Sequence, residues 1–542
     1  MNRSHVISYI EKTVDFEHNF VEQLRLLDRL CEEVQQYYHE YDFSAEKLGN
    51  GFRSIVHITD IYFMNLHSQQ ENGNFLLNPN LLQDYILLAD TLQRSLSYAQ
   101  LLRKKGVDFE INRQSEIDIQ LSELLFHAPD DSTVPIAGSI GPFYYKRSAG
   151  TLIHWGVYLV HLLALPVRES FRMLFDSKYS ARRMAQSAAR TPLYLVKALT
   201  PGPIVSRILR PIVRTACLWQ GANVAEIVIP RQTNPWEIQI PDWKEPATIA
   251  RTADREGSFG SLLISPFGSR NDTKSIIIHG HGGGFFTLTP DSAAIPSAAL
   301  SREFGIPVII PEYRKIPEHK YPAAVQDVLD LYIFLTSGGA DVEKLIGFQP
   351  RHVFMSGDSA GANLVTAATF ALNRIRTLDH KIMMPKGIRL LCPAVIPTFV
   401  AVPSYCFLLL ELMLSRGLLG LAAGLYADIG TKIVDDSFMS KSYEENLELG
   451  RKFEHKLKDP LLNLLAFRDW GDLKDIPLVI TTCEMDPLLD QAIMLAKAWK
   501  GVVDFEIVEG MPHGFMICVG DPSIRQEITR YQRQIVNAVS EG

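Results

Sequence analysis

The stretch RHVFMSGDSAGANLVTAATFALNRI, residues 351–375, changes character at its centre. His352–Met355 is a short apolar run of the kind that forms a buried strand. From Ala360 onward the apolar residues recur with the spacing of a helix face. Between them lies Gly357-Asp358-Ser359-Ala360-Gly361. By average Gly and Ser usage, roughly one chain in ten of this size carries G-x-S-x-G by chance, so its context decides its meaning. Here the motif occupies a strand–turn–helix junction, the setting of a nucleophile elbow. Two glycines relieve crowding where the turn is tightest, and the turn lifts the Ser359 hydroxyl clear of the strand. The competing reading is a plain glycine-rich turn between strand and helix.

Working outward, KSIIIHG (274–280), IPVIIPEY (306–313) and PLVITTCE (477–484) read as further buried strands. Helical patterns such as PAAVQDVLDLYIFLTSGG (322–339) separate most of them. This alternation predicts an α/β architecture, a mostly parallel sheet with helices on both faces. Functional groups then collect at the carboxyl ends of the strands. Residues 394–458 interrupt the alternation and are expected to form an inserted lid over that edge. Upstream, residues 1–230 read as a mainly helical accessory domain, with apolar positions three and four apart in 28–41 and 80–106 and Gly106 as a C-cap. The stretch 226–243 reads as a short strand pair. The expected division is therefore 1–230, helical, and 231–542, catalytic.

A serine hydroxyl is a weak nucleophile without a base. His513, in MPHGF, directly follows the strand-like VDFEIVEG (503–510) and so faces the same edge as Ser359. His5, His18 and His39 lie in the helical half, His319 lies in a Pro-bounded loop, and His352 starts the strand before Ser359. The base in turn needs a carboxylate to fix its tautomer. Asp486, which follows PLVITT and precedes a helix, is the favoured candidate; Glu484 and Asp490 are its rivals, and the competing role for Asp486 is that of an N-cap. His281-Gly282-Gly283-Gly284 follows another strand. Successive glycines there let backbone N–H groups, together with that of Ala360, face a carbonyl oxygen on which negative charge develops. A phosphate-binding loop is the rival, but no G-x-x-x-x-G-K-[ST] and no complete G-x-G-x-x-G follows the strand. The order HGGG, GxSxG, Asp, His matches a hydrolase triad with its oxyanion hole.

Composition narrows the class. The 542 residues carry a net charge of -7, which gives no reason to expect nucleic acid as a partner. The six cysteines, Cys31, Cys217, Cys392, Cys406, Cys483 and Cys518, are scattered. That argues against a zinc site and a disulfide framework, and fits a reducing cytoplasmic compartment. No secretory signal is expected from the first residues. Two apolar stretches, Thr151–Pro166 and Tyr405–Tyr426, read as buried or interfacial helices rather than membrane spans, since the second carries Glu411 and Arg416 near its middle. Between Lys178 and Ala225 there are eight basic residues and no acidic one. Such a segment either lies on an anionic lipid surface or is a solvated face that pairs with acids elsewhere.

Together HGHGGGFF, GDSAGAN, EMDPLLDQ and MPHGF resemble the motifs of the hormone-sensitive lipase family of α/β-hydrolases, over roughly residues 270–525. EYRKIPEHKYPAAVQD (312–327) is similar to the segment that packs behind the site in that family. The helical first 230 residues, the block 459–499 and the apolar segment 408–430 resemble the animal-type members. Two departures stand out: Ala362 stands where the family often has Gly, and residues 394–458 are far shorter than the phosphorylated regulatory module and contain no R-R-x-S. The resemblance implies an α/β-hydrolase fold, a Ser359–Asp486–His513 triad, an oxyanion hole from Gly282, Gly283, Gly284 and Ala360, and motif support from His281, Gly357, Asp358 and Gly361. It implies hydrolysis of acylglycerols, diacylglycerol above all, and of sterol or retinyl esters, with no metal or cofactor. Expected partners are the lipid ester, a lipid-droplet surface and a second copy of the chain. The alternatives are a carboxylesterase resembling arylacetamide deacetylase, a group with an N-terminal membrane anchor, and a receptor like those for plant gibberellins, which lack the catalytic histidine.

Overall fold

The computed structural model describes residues 2–13, 18–77, 79–104, 203–231, 237–238, 247–248, 257–268, 273–378, 380–396, 402–410, 414, 416–428, 456, 458–468 and 470–514. The Thr151–Pro166 stretch, Gly106, Cys518 and the basic residues from Lys178 to Lys197 lie outside them.

The first unit is helical: α1 (Arg3–Thr13), α2 (His18–Gln35), α3 (Gly51–Glu71), α4 (Asn74–Leu77) and α5 (Pro79–Lys104). The helical reading of 28–41 ends early, because α2 stops at Gln35 and Tyr38–Tyr41 winds into a 3₁₀ turn. Asn50 caps α3, its side chain accepting from the N–H groups of Phe52 and Arg53. The helices close on a core that includes Leu24, Leu27, Phe52, Ile55, Leu92 and Leu96. Val402, Tyr405 and Phe407 from the 394–458 insertion complete that core. Val402 precedes, and the other two belong to, a 3₁₀ turn (Pro403–Leu409) tied down where Ser95 Oγ donates to the Cys406 carbonyl (2.9 Å) and Tyr98 Oη to that of Val402 (2.9 Å).

The second unit holds α6 (Pro203–Trp219), β1 (Ala222–Pro230), β2 (Glu237–Ile238), β3 (Ala247–Thr248), β4 (Ser258–Pro266), β5 (Ser275–Gly280), α7 (Pro290–Phe304), β6 (Val308–Pro311), α8 (Ala323–Ser337), α9 (Ala340–Ile346), β7 (His352–Asp358), α10 (Ala360–Leu378), β8 (Ile388–Leu391), α11 (Arg416–Tyr426), β9 (Leu478–Met485), α12 (Leu489–Ala498) and β10 (Val503–Pro512). Among the described residues eight strands form one sheet in the order β1-β4-β6-β5-β7-β8-β9-β10. β1, β4 and β6 pair antiparallel, and from β6 to β10 every pairing is parallel. Alternate residues serve opposite faces, as strand geometry requires. Ile276, Ile278, Val353 and Met355 pack with α8 and α10, whereas Ile277 and Phe354 pack with α7. This is the α/β-hydrolase fold.

Three expectations are corrected. The domain boundary at 230/231 cuts the sheet: β1 runs beside β4 over nine residues, from Ala222 opposite Pro266 to Pro230 opposite Ser258, so the α/β unit begins at or before α6. Among the described residues of 226–243 the two strands do not pair with each other: β1 spends its ladder on β4 and the two residues of β2 pair with β3. The Tyr405–Tyr426 stretch is no single helix: it contains the 3₁₀ turn and then α11, and both are packed into cores. Among the described residues no helix is long and apolar enough to cross a membrane.

In the described part of the basic segment, Arg210 reaches Glu226 (3.1 Å) and Asp291 (3.3 Å), and Arg214 reaches Glu226 (2.7 Å). Those two arginines thus pair with acids on β1 and α7, as the second of the two readings requires.

Candidate active site

Ser359 stands between β7 and α10 with φ +51, a left-handed backbone that non-glycine residues rarely adopt. The turn is held because Ser359 N–H donates to the Leu391 carbonyl (2.9 Å). Its tightness needs the two motif glycines. A Cβ at Gly357 would meet the Gly361 backbone at 2.6 Å, and one at Gly361 would meet the Gly280 carbonyl oxygen at 2.0 Å. Strand β5 and helix α10 therefore touch backbone to backbone, which carries the hydroxyl to the carboxyl edge of the sheet.

His513 lies one residue beyond β10, and its Nε2 is 2.9 Å from Ser359 Oγ. Its Nδ1 is 2.8 Å from Asp486 Oδ2. Asp486 is fully buried one residue beyond β9, and its other oxygen accepts the Leu488 N–H (2.8 Å). One carboxylate thus serves the histidine and the turn that precedes α12, but it is not the N-cap: that position is Leu488, which has no side-chain cap bond. The rivals of Asp486 are engaged elsewhere. Glu484 accepts from the Gly510 N–H (2.7 Å), and Asp490 accepts from the N–H groups of Gly51 (3.1 Å) and Ser404 (2.6 Å).

The glycine loop follows β5. Gly282 is no free donor: its N–H is given to Asp358 Oδ1 at 3.0 Å. That bond, with His279 Nε2 3.2 Å from the same oxygen, fastens the loop to the serine turn. Gly283 (φ +113) and Gly284 (φ +60) take backbone angles suited to glycine. Among the described residues, no acceptor is recorded for the N–H groups of Gly283, Gly284 or Ala360. These three remain available to an oxyanion. The expectation for Gly282 as a donor is thereby corrected: its N–H is taken by Asp358.

His281 is wholly buried and stacked on Tyr313, ring centroids 4.3 Å apart. Its Nδ1 lies 2.8 Å from the Gly282 carbonyl. Burial, reinforced by Lys315, pushes its pKa well below the usual value, so it stays neutral and shapes the loop. Tyr313 Oη donates to the His281 carbonyl (2.8 Å). Nothing in the sequence marks this tyrosine as a site residue except its place in the 312–327 block. Asp327, at the far end of that block, is buried and accepts the Arg314 N–H (2.7 Å).

Over the loop lies α11. Tyr426 stacks on Phe285 with centroids 3.7 Å apart, and Ala422 Cβ stands 3.5 Å from where a Cβ of Gly284 would be. The insertion therefore contributes an apolar roof beside the glycines, within the larger hydrophobic core.

Cys392, Asp486 and His513 offer ligand atoms within 4.8 Å of one another. The Cys392 Sγ lies 3.5 Å from that of Cys483. Hydrogen bonding to Cys483 and burial push the Cys392 thiol pKa well above its usual value, so it stays protonated. The trio is a hydrogen-bonded set as it stands.

Such an arrangement suits acyl transfer: a hydroxyl bonded to an imidazole, the imidazole held by a carboxylate, and backbone donors nearby. Residues 277–517 match the family described as alpha/beta hydrolase fold, and residues 4–75 match the hormone-sensitive lipase (HSL) N-terminus. The chain is 31% identical to the hormone-sensitive lipase of Homo sapiens over 165 residues, which are 30% of this chain and 14% of that protein. It is 24% identical to an arylesterase of Saccharolobus solfataricus over 302 residues, 55% of this chain and 80% of that one. It is 36% identical to an acetyl-hydrolase of Streptomyces hygroscopicus over 142 residues, 24% of this chain and 44% of that one. The match to the human relative thus spans far less than two thirds of that protein's length. Among solved structures, the esterase LipW from Mycobacterium marinum aligns with a TM-score of 0.46 and 15% identity, covering 66% of this chain and 95% of that one.

Proposed function

We propose that this chain, which belongs to the hormone-sensitive lipase family of α/β-hydrolases, hydrolyses carboxylic esters with Ser359 as nucleophile, His513 as base and Asp486 as the acid that orients it. The observation that carries this reading is the unbroken line from Ser359 Oγ through His513 to Asp486, at 2.9 and 2.8 Å. As Ser359 Oγ attacks the acyl carbon, its proton passes to His513 Nε2. The carbonyl oxygen, now negative, accepts from the N–H groups of Gly283, Gly284 and Ala360, each donor worth about 3 kcal/mol of barrier. Collapse breaks the bond to the leaving alcohol, which takes the proton from His513. Water then repeats the sequence on the acyl-enzyme and frees the acid. The bond between His513 and Ser359 favours catalysis over the receptor reading.

For the substrate we favour acylglycerols, diacylglycerol above all, with sterol or retinyl esters, in intracellular lipid mobilisation. The family reading and the apolar roof of Phe285, Tyr426 and Ala422 support it. The same reading carries residence in the cytoplasm with recruitment to lipid droplets, and pairing of two copies; fractionation and light scattering test these directly.

The decisive comparison is wild type against Ser359→Ala, on a short p-nitrophenyl ester and on emulsified diacylglycerol. Loss of both activities in the variant is expected. Wild-type activity on the short ester alone would replace the lipase with a general carboxylesterase. Activity retained by Ser359→Ala would end the assignment.

A further inference from the structure

β10 does not run straight into His513. It pairs with β9 in register from Val503 opposite Leu478 to Val508 opposite Cys483, and the next pair is Pro512 opposite Met485. Four steps along β10 therefore match two along β9, and Glu509, Gly510 and Met511 bulge out. A bulge leaves ladder groups without their regular partners and re-aims the residues beyond it. The residue re-aimed here is His513. Gly510 takes φ +64 to make the bulge, and its N–H would otherwise lack an acceptor. Glu484, on β9, supplies that acceptor: its Oε2 lies 2.7 Å from the Gly510 nitrogen.

The other oxygen of Glu484 faces the helical unit. Oε1 lies 2.5 Å from His57 Nδ1 on α3. The hydrogen bond to Glu484 is the largest cause of a raised His57 pKa, which favours the imidazolium and a charge-assisted contact. Around this clasp the helical unit lies along β10, the edge strand of the sheet. Phe43 packs on Phe505 with centroids 4.8 Å apart, and the Gly49 backbone leaves room for Ile507, whose Cδ1 would stand 2.5 Å from a Cβ there. Two residues past Leu488, Asp490 ties the start of α3 to α12 through the Gly51 N–H.

We propose that Glu484 is a positioning residue for catalysis, which fixes the β10 bulge that aims His513 and couples it, through His57, to the N-terminal helical unit. The proposal rests on His513 being the base. It gives the helical unit a role in catalysis, since α3 braces the two strand ends that carry the acid and the base. It also explains why Glu484, a rival for the triad by sequence, stands two residues from Asp486 without joining the triad.

The test uses the full chain, with Glu484→Ala, Glu484→Gln and His57→Ala beside wild type and Ser359→Ala. The readout is kcat and KM on a short p-nitrophenyl ester, normalised to active sites titrated with a fluorophosphonate, so that misfolded protein is not counted. Glu484→Ala should lose about tenfold or more in kcat per site with KM little changed, the size of effect produced by misplacing a catalytic group. Glu484→Gln keeps an oxygen for Gly510 and should recover most of the loss. His57→Ala should show a smaller loss of the same kind. A per-site kcat for Glu484→Ala within about twofold of wild type overturns the proposal. So does failure of Glu484→Gln to improve on Ala. If Glu484→Ala yields no titratable sites, His57→Ala decides, and an unchanged per-site kcat there overturns it. Activity in Ser359→Ala would instead sink the triad itself, a result distinct from all of these.

Discussion

Gly361 at the start of α10 and Gly280 at the end of β5 meet without space for one further atom: a Cβ on Gly361 would stand 2.0 Å from the Gly280 carbonyl oxygen. Neither partner can yield, since both are backbone in a packed core. Gly361→Ala should therefore destabilise the protein by about 1–3 kcal/mol through overpacking, and push the serine turn off its position. Thermal unfolding and ester hydrolysis read the two effects together; a variant with wild-type Tm and rate would show that the junction has slack. The neighbouring Ala362, where the family often has Gly, behaves differently. It is fully buried within α10, so Ala362→Gly should cost about 1 kcal/mol of helix stability and leave the rate nearly intact.

Asp486 does two jobs with two oxygens, and one substitution separates them. Asp486→Asn keeps an oxygen for the Leu488 N–H, so the turn before α12 is held and Tm should move by a few degrees at most. The amide cannot stabilise the imidazolium, and where its NH2 faces His513 Nδ1 it enforces the wrong tautomer. A loss of roughly 10⁴ in kcat is expected, the effect seen when such a carboxylate is neutralised in a serine hydrolase triad. Asp486→Ala should lose the bond to the Leu488 N–H as well and unfold earlier. Near-normal turnover by the Asn variant would hand the role to another carboxylate.

Asp490 should make stability depend on pH. Burial pushes its pKa up to about 6, against the help of its bonds to Ser404 and Gly51. The folded protein thus holds this proton more tightly than the unfolded chain, whose ordinary value is 3.8. The favourable contribution is complete below pH 3.8 and is lost as pH rises through about 6. The ionised form carries a burial cost of roughly 3 kcal/mol. Asp490→Asn keeps an acceptor for the two N–H groups and avoids ionisation. Its Tm relative to wild type should climb between pH 4 and pH 8, and a flat difference would mean that the carboxylate ionises freely in place.

Parts of this molecule were legible because they are local. The strands over 274–280, 351–357 and 477–484 announce themselves by apolar runs, and the serine turn by its glycines. β8 was not legible: Ile388–Leu391 is four residues long and contains Arg389, a buried guanidinium that spoils any apolar run. β4 hides its partner, since pairing with β1 is fixed by register across residues 222–266 and not by either sequence alone. The residues that form the hydrogen-bonded line, Ser359, His513 and Asp486, could be picked out by their order along the chain. The choice among Glu484, Asp486 and Asp490 could not be closed that way, because all three fall between residues 484 and 490 and are told apart by what lies opposite them in space. The partners of Glu484 and Asp490 come from His57 and Gly51, more than four hundred residues earlier. Charge was misleading for the same reason: eight basic residues without an acid look free until Glu226 and Asp291 fold against two of them.

That pairing bears on where a lipid surface would meet the enzyme, were it recruited to one. Among the described residues Trp219 is the most exposed large aromatic, 85% accessible at the end of α6, with exposed Phe267 close by where its N–H bonds the Gly221 carbonyl. Exposed aromatics of this kind suggest an interfacial anchor, but their position argues otherwise. Ala222 pairs with Pro266, and β4 runs antiparallel to β6, whose first residue Val308 lies opposite Ile264. Trp219 and Phe267 therefore stand at the amino ends of the parallel strands, whereas Ser359, Asp486 and His513 stand at the carboxyl ends. A droplet touching Trp219 would lie behind the site. Trp219→Ser should accordingly hydrolyse emulsified diacylglycerol and a soluble short ester in the wild-type ratio. A selective fall on the emulsion would place the lipid contact at the rear edge and require substrate to travel around the sheet. An unchanged ratio leaves the face beside α11, where Tyr426 and Ala422 border the glycine loop, as the side on which the ester arrives.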